Sequence, residues 1–260
     1  MELLEYRTGT GTRAFSTMRG GGPGNYMGFN ITDYCGDDAG HVAECRAKLC
    51  ERLGIDDSHL LLPRQTHSDK TLCIDNEFIA MPQKEQKALL QGIDAVITDL
   101  PRTCIGVSTA DCIPVLFHDQ RRHAIAAVHA GWRGTVARIA EKTVAAMVAT
   151  YGCNPQDMVA VIGPGISLEA FEVGDEVYDT FNESGFPMEK IARLYPTTNG
   201  GSKWHIDLWE ANRLQLATCG IPLENIEVAA ICTYKEHERF FSARRLGIES
   251  GRIFSGIMLI

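Results

Sequence analysis

The stretch "CIPVLFHDQRRHAIAAVHAGWRGT", Cys112 to Thr135, constrains this chain more than any other. Its two apolar runs, CIPVLF and AIAAV, have strand length and the unbroken apolar character of buried strands. The gap from Asp119 to Arg122 is hairpin-sized, which makes the two strands antiparallel neighbours. The start of the first then lies beside the end of the second. Cys112, which opens the first run behind Asp111, is thereby set next to His129, which closes the second 17 residues later, ahead of Ala-Gly-Trp-Arg-Gly.

A third candidate is His67 in "PRQTHSDK", where polar residues abruptly replace the apolar "LLLP". Taken singly, a cysteine is a small buried hydrophobe and most histidines are surface or hydrogen-bonded groups. Together, two histidines and a thiolate make a three-ligand zinc site with an open fourth position, the pattern of catalytic rather than structural zinc. Asp111 is placed to orient a ligand, to move a proton or simply to cap a turn. Arg133 precedes a helix expected from Thr135 and is expected to hold phosphate or carboxylate there, or to stack on Trp132. His59, His118, His123, His205 and His237 have no comparable setting, and "IGPGI" matches neither nucleotide-binding glycine fingerprint.

Other strand-like runs are "DAVIT", "CIGVST", "MVAVIGP", "IEVAAICT" and the terminal "RIFSGIMLI". Helices are expected over His41–Leu53, stopped by Gly54, and over Thr135–Tyr151, with a stripe of Val136, Ile139, Ala140, Thr143, Val144, Met147 and Val148 and a cap at Gly152. Two more are expected over Leu168–Phe181 and from an Asp207 N-cap to Gly220. The glycine-rich Met18–Asn30 reads as a structured loop. Buried strands mixed with helices and hairpin gaps imply an α+β layered sandwich with mixed sheets, one domain spanning residues 1–260.

The net charge of −8 speaks against nucleic-acid or anionic-membrane partners while leaving room for a small anion in a local basic pocket. Nine cysteines without a C-x-x-C pair do not form a disulfide framework or a zinc ribbon. The N-terminus lacks the regions of a signal peptide and no apolar run reaches the roughly 20 residues of a membrane span, so a reduced, cytoplasmic protein is expected.

An ordered series of motifs now resembles a known family: "FSTMRGG", "GFNITDYCGDD", "RQTHSD", "ADCIPVLFHD", "AAVHAGWRGT", "IGPGIS", "WHIDLWEANRLQL" and "FFSARR…SGR". It is the laccase-domain or multicopper polyphenol oxidase family, also known as zinc-dependent purine nucleoside phosphorylases. The resemblance implies a zinc on His67, Cys112 and His129, and a layered fold related to cytotoxic-necrotizing-factor-type toxin domains. It implies cleavage of adenosine, inosine, guanosine and methylthioadenosine by phosphate, with adenosine deamination beside it. Peptidoglycan-precursor editing, an amide hydrolysis, is linked to some relatives. Asn30 matches a family asparagine that is expected to face the site. Arg19 stands one place later than the family's arginine, which leaves its register open; with Arg64 and Arg133 it is a candidate for the substrate phosphate.

The multicopper name demands many histidines, and no H-x-H pair occurs among the eight present. One His/Cys site can bind Cu2+, but not assemble several copper centres. The remaining alternative makes Cys112 a nucleophile activated by His129, as in a cysteine amidase. A non-catalytic nucleoside-binding protein would leave the open coordination position unused.

Overall fold

The structure, a computed structural model, describes residues 1–20 and 24–260; Gly21, Gly22 and Pro23 of the expected glycine-rich loop lie outside them. The chain runs through strands β1 (Leu3–Tyr6) and β2 (Thr12–Thr17), helix α1 (Ala39–Leu53), β3 (Leu60–Leu61), β4 (Thr71–Cys73), helices α2 (Asn76–Ala80) and α3 (Gln83–Leu89), and β5 (Ala95–Thr98). Next come β6 (Cys104–Thr109), β7 (Ile113–Asp119), β8 (Ala124–Ala130), helices α4 (Trp132–Val136) and α5 (Ile139–Tyr151), β9 (Met158–Ile162) and β10 (Glu172–Val173). The last part holds α6 (Asp175–Glu183), α7 (Met188–Ile191), β11 (Ala192–Pro196), β12 (Ser202–Ile206), α8 (Leu208–Thr218), β13 (Ile226–Val228), α9 (Ala243–Leu246) and β14 (Ile253–Leu259).

Two mixed sheets stack face to face. One has the order β1-β2-β14-β6-β3, the other β13-β9-β7-β8-β5-β4; a small third sheet is β10-β12-β11. The period-2 geometry of a strand explains how one run serves two cores. Ile113, Val115 and Phe117 of β7, and Ala124, Ala126 and Val128 of β8, face the helix layer of α5 and α8. Leu116, Ile125 and Ala127 point the other way, into the core between the sheets with Val107 and Ile257. A third cluster joins α1 to the outer face of the first sheet through Leu49, Phe15 and Phe254. The expected α+β sandwich with mixed sheets is therefore what forms, and β7 and β8 pair antiparallel from Ile113↔Ala130 to Asp119↔Ala124.

Several boundaries differ from the sequence reading. The helix expected over Thr135–Tyr151 is broken: Arg138 takes a left-handed conformation (φ 62°) between α4 and α5. The carbonyl of Thr135 accepts from Gln215 of α8 (2.7 Å) and its hydroxyl from Asn212 (3.1 Å), so a distant helix holds the break. The Leu168–Phe181 helix is also corrected. Glu172 and Val173 pair with β12, and the helix starts only after Gly174. "LLLP" contributes two strand residues and "IEVAAICT" three; after Val228 the chain leaves the sheet, and Thr233 hydrogen-bonds Asp111. The caps expected at Gly54, Gly152 and Asp207 are present, the last accepting from the amide of Glu210.

Candidate metal centre

Register decides where the chemistry gathers. The start of β7, the end of β8 and the start of β5 all reach one rim of the six-stranded sheet (Ile113↔Ala130, Ala95↔Val128). β4 begins at that rim, and β9 and β13 end there. His67, Asp94, Asp111–Cys112 and His129 stand just outside these strand ends and converge.

One donor atom each from His67, Cys112 and His129 lies within 4.8 Å of the other two, and among the described residues this is the only such group of three His, Cys, Asp or Glu side chains. Cys112 Sγ is 3.7 Å from His67 Nε2. A tetrahedral zinc with bonds of about 2.3 Å to sulfur and 2.0–2.1 Å to nitrogen sets that edge at about 3.6 Å, so the pair fits a metal. The imidazoles meet edge to face with centroids 4.9 Å apart. His129 is 4% exposed whereas His67 is open to solvent, which leaves an approach for a substrate.

The residue that organises the centre is Asp94, which sequence reasoning missed. It is fully buried. One carboxylate oxygen accepts from His129 Nδ1 (2.7 Å) and the amide of His67 (3.0 Å). The other accepts from the amides of Thr66 and Ser68 and the Ser68 hydroxyl, at 2.8–3.0 Å. Three successive amides around one anion form a nest, which needs a left-handed residue inside it. His67 supplies that residue, at φ 61°, and the five hydrogen bonds offset a strain of order 1 kcal/mol. Binding Asp94 through Nδ1 leaves Nε2 of His129 for a ligand bond. Burial alone would raise the Asp94 carboxyl, but the His129 imidazole and the amides outweigh it and hold it at about 2. Burial likewise opposes the Cys112 thiolate, yet the His129 and His67 imidazoles bring its pKa down to about 6. The sulfur is thus ionised at neutral pH, the form that ligates metals.

Gly131 follows His129 and presses directly on the centre. A β-carbon there would stand 2.9 Å from Cys112 Sγ and 2.9 Å from His67 Cδ2, both of them ligand side chains. Gly131→Ala is expected to displace these ligands and lower turnover by about a hundredfold, the scale of a 1 Å misplacement; metal content and rate measured together check this.

The other expected residues lie elsewhere or do other work. Asp111, at φ 89°, accepts on its two carboxylate oxygens from the Thr233 hydroxyl and the Arg244 amide (2.7 Å each), and so ties these loops to the start of β7. Asn30 does not face the site: it is fully buried and bonded to Asp37, Thr32 and the Arg252 amide. Arg19 is buried too, its guanidinium donating to the carbonyls of Met27, His237 and Gly24 beneath Phe241, so it braces the glycine-rich loop. Arg64 lines a separate cleft of about 590 Å³ between α1 and α3, near the Tyr34 ring, which none of the three ligands lines. Arg133 sits inside the five-residue α4, not ahead of a long helix, so the expected helix-dipole site is absent. Its exposed guanidinium stacks on Trp132 at 4.3 Å. His118 and His205 hydrogen-bond backbone carbonyls far from the centre in sequence, and none of the nine cysteines forms a disulfide.

Comparison with known proteins agrees with this architecture. Residues 12–260 match the family described as multi-copper polyphenol oxidoreductase laccase. A purine nucleoside phosphorylase of Bacteroides thetaiotaomicron is 48% identical over 94% of this chain and 90% of its own. Adenosine deaminase RL5, from an unknown prokaryotic organism, is 45% identical over 99% and 98%. The solved structure of YlmD from Geobacillus stearothermophilus superposes with a TM-score of 0.85 at 30% identity, covering 96% of this chain and 92% of that one. The chain belongs to this laccase-like family.

Proposed function

As a member of that family, we propose that the protein is a zinc-dependent purine nucleoside phosphorylase that also deaminates adenosine, its site carried by one domain of residues 1–260 and acting in the cytoplasm. The observation that carries the reading is the convergence of His67, Cys112 and His129 on one point at a solvent-open rim, with Asp94 behind them. Two relatives bearing these two activities by name, at 48% and 45% identity, support it. Adenosine, inosine, guanosine and methylthioadenosine are the proposed nucleosides.

His67, Cys112 and His129 would hold the zinc, which when bound supplies Lewis acidity and brings the pKa of water toward about 7. Both reactions need an oxygen nucleophile at the same rim. Phosphorolysis delivers a phosphate oxygen to the sugar carbon and releases the purine. Deamination delivers water to the amino-bearing purine carbon and releases ammonia. Asp94 keeps His129 in one tautomer and orientation throughout. Arg133, exposed beside Gly131, would draw in and neutralise phosphate. A single three-ligand group cannot supply the several centres of a multicopper oxidase, and Cu2+ on it would be adventitious.

Adenosine incubated with zinc-loaded protein, with and without phosphate, tests the proposal. Adenine formed only with phosphate, and inosine formed in both samples, is the expected outcome; untouched adenosine, inosine and guanosine would reject it. Because Asp94, His129 and Cys112 stand in the order of a nucleophilic triad, a cysteine amidase is the second reading. The second imidazole on the same sulfur favours the metal, since a nucleophile needs only one base. A strong chelator is therefore expected to remove activity, and zinc to restore it. Activity that survives chelation but not thiol alkylation would favour the amidase.

A further inference from the structure

The rim that carries the three ligands continues past Cys112, and the "SARR" turn of the sequence folds back onto it. Asp111, next to Cys112, is the knot. Its carbonyl accepts from the amide of Ile166 (2.8 Å), beyond β9. Its carboxylate accepts from the Thr233 hydroxyl, beyond β13, and from the amide of Arg244 in α9. Ser242 caps this short turn by accepting from the amide of Arg245 (3.2 Å), so the turn is held from both sides.

The guanidinium of Arg244 is only lightly held. It donates once, to the carbonyl of Glu172 (3.1 Å), and lies 5.7 Å from the centre of the Phe171 ring. Arg244 is exposed and forms no ion pair among the described residues, in a chain whose net charge is −8. The neighbouring carboxylate of Asp111 is committed to a backbone amide and a hydroxyl instead. A guanidinium steadied on an aromatic face and one carbonyl keeps N–H groups for a bidentate oxyanion.

We propose that Arg244 is a phosphate-binding residue of the centre, holding inorganic phosphate from the β9 side while Arg133 approaches from the β8 side. The inference rests on the phosphorylase reading above and names the residue that separates its two reactions. Phosphate carries between one and two negative charges at neutral pH and calls for more than one cation, whereas the water of deamination calls for none. Asp111 is then a positioning residue, acting through Arg244.

The test uses zinc-loaded protein and inorganic phosphate as the probe. Arg244→Ala is expected to raise the phosphate KM of phosphorolysis between about tenfold and a hundredfold, the scale of a lost charged hydrogen bond, with a smaller change in kcat. The ratio of phosphorolysis to deamination at low phosphate falls by the same factor, and phosphate binding weakens equally in calorimetry. Arg244→Lys, which keeps the charge but not the fork, falls between. Arg245→Ala, whose guanidinium lies by the Tyr234 ring instead, shifts the phosphate KM by no more than about twofold. An unchanged phosphate KM in Arg244→Ala overturns the proposal. So does an equal fall of both activities with a lowered melting temperature, which would make Arg244 a structural pin. If the parent protein turns over no nucleoside, the phosphorylase reading fails by itself. Calorimetry then still decides Arg244: phosphate binding lost in the variant upholds it, and no phosphate binding by the parent overturns it.

Discussion

Replacing Cys112 with alanine is expected to empty the centre of metal and to lower both phosphorolysis and deamination by about a thousandfold or more, the scale of a lost catalytic group. The sulfur supplies the anionic ligand of the three, and the imidazoles of His129 and His67 already hold it ionised near pH 7. The fold does not depend on it, because Cys112 stands outside β7, is only partly buried and belongs to none of the core clusters. Far-UV dichroism should therefore change little, and melting should match that of the metal-stripped parent. His67→Ala sharpens the test. A thiol nucleophile served by His129 would keep most of its activity without His67, but a metal centre would not. Metal content and both activities, measured on the two variants, check this; full turnover by a metal-free variant would refute it.

Asp94→Asn is the second substitution with a large expected effect, on stability and activity together. Five donors converge on the carboxylate. An amide presents one oxygen and one NH2, so at least two of these buried donors lose their acceptor, at about 1–3 kcal/mol each. His67 then keeps its left-handed backbone without the nest that offsets it. Metal affinity is expected to fall by at least 10–100-fold, the usual cost of losing the carboxylate behind a ligating histidine. The pH dependence has a definite sign. The folded carboxyl sits at about 2, below its unfolded value near 4, so its contribution of roughly 2 kcal/mol is fully present above pH 4. It is lost as pH falls toward 2. Denaturation of parent and variant at pH 7 and pH 3 should show the gap between them narrowing at the lower pH.

The β7–β8 hairpin was legible because its two apolar runs are buried on both faces, so their edges stood out against the polar residues that follow. That legibility reached Cys112 and His129, and the polar break after "LLLP" reached His67. Asp94 left no comparable mark. In "GIDAVIT" it is one acidic residue ahead of a strand, and its partners at 66–68 and 129 are set by tertiary contact alone. The break at Arg138 was hidden for the same reason: the apolar stripe runs through it, and Gln215 holds it through the carbonyl of Thr135, 80 residues from Gln215 in the chain. Arg19, Asn30 and Arg64 belong to motifs of the family, but motif membership does not tell a loop brace from a substrate contact. Arg19 lies against carbonyls and Asn30 against Asp37, both inside the protein.

The measurement that bears most directly on the metal centre is reconstitution. Protein stripped with a strong chelator would be titrated with Zn2+ while bound metal and the conversion of adenosine, with phosphate present, are followed together. Adenine and inosine formation are both expected to return in proportion to zinc, reaching their plateau at about one ion per chain, and in Cys112→Ala neither returns. Stripped protein that retains full activity, or activity that returns without stoichiometric zinc, would contradict a zinc-dependent centre.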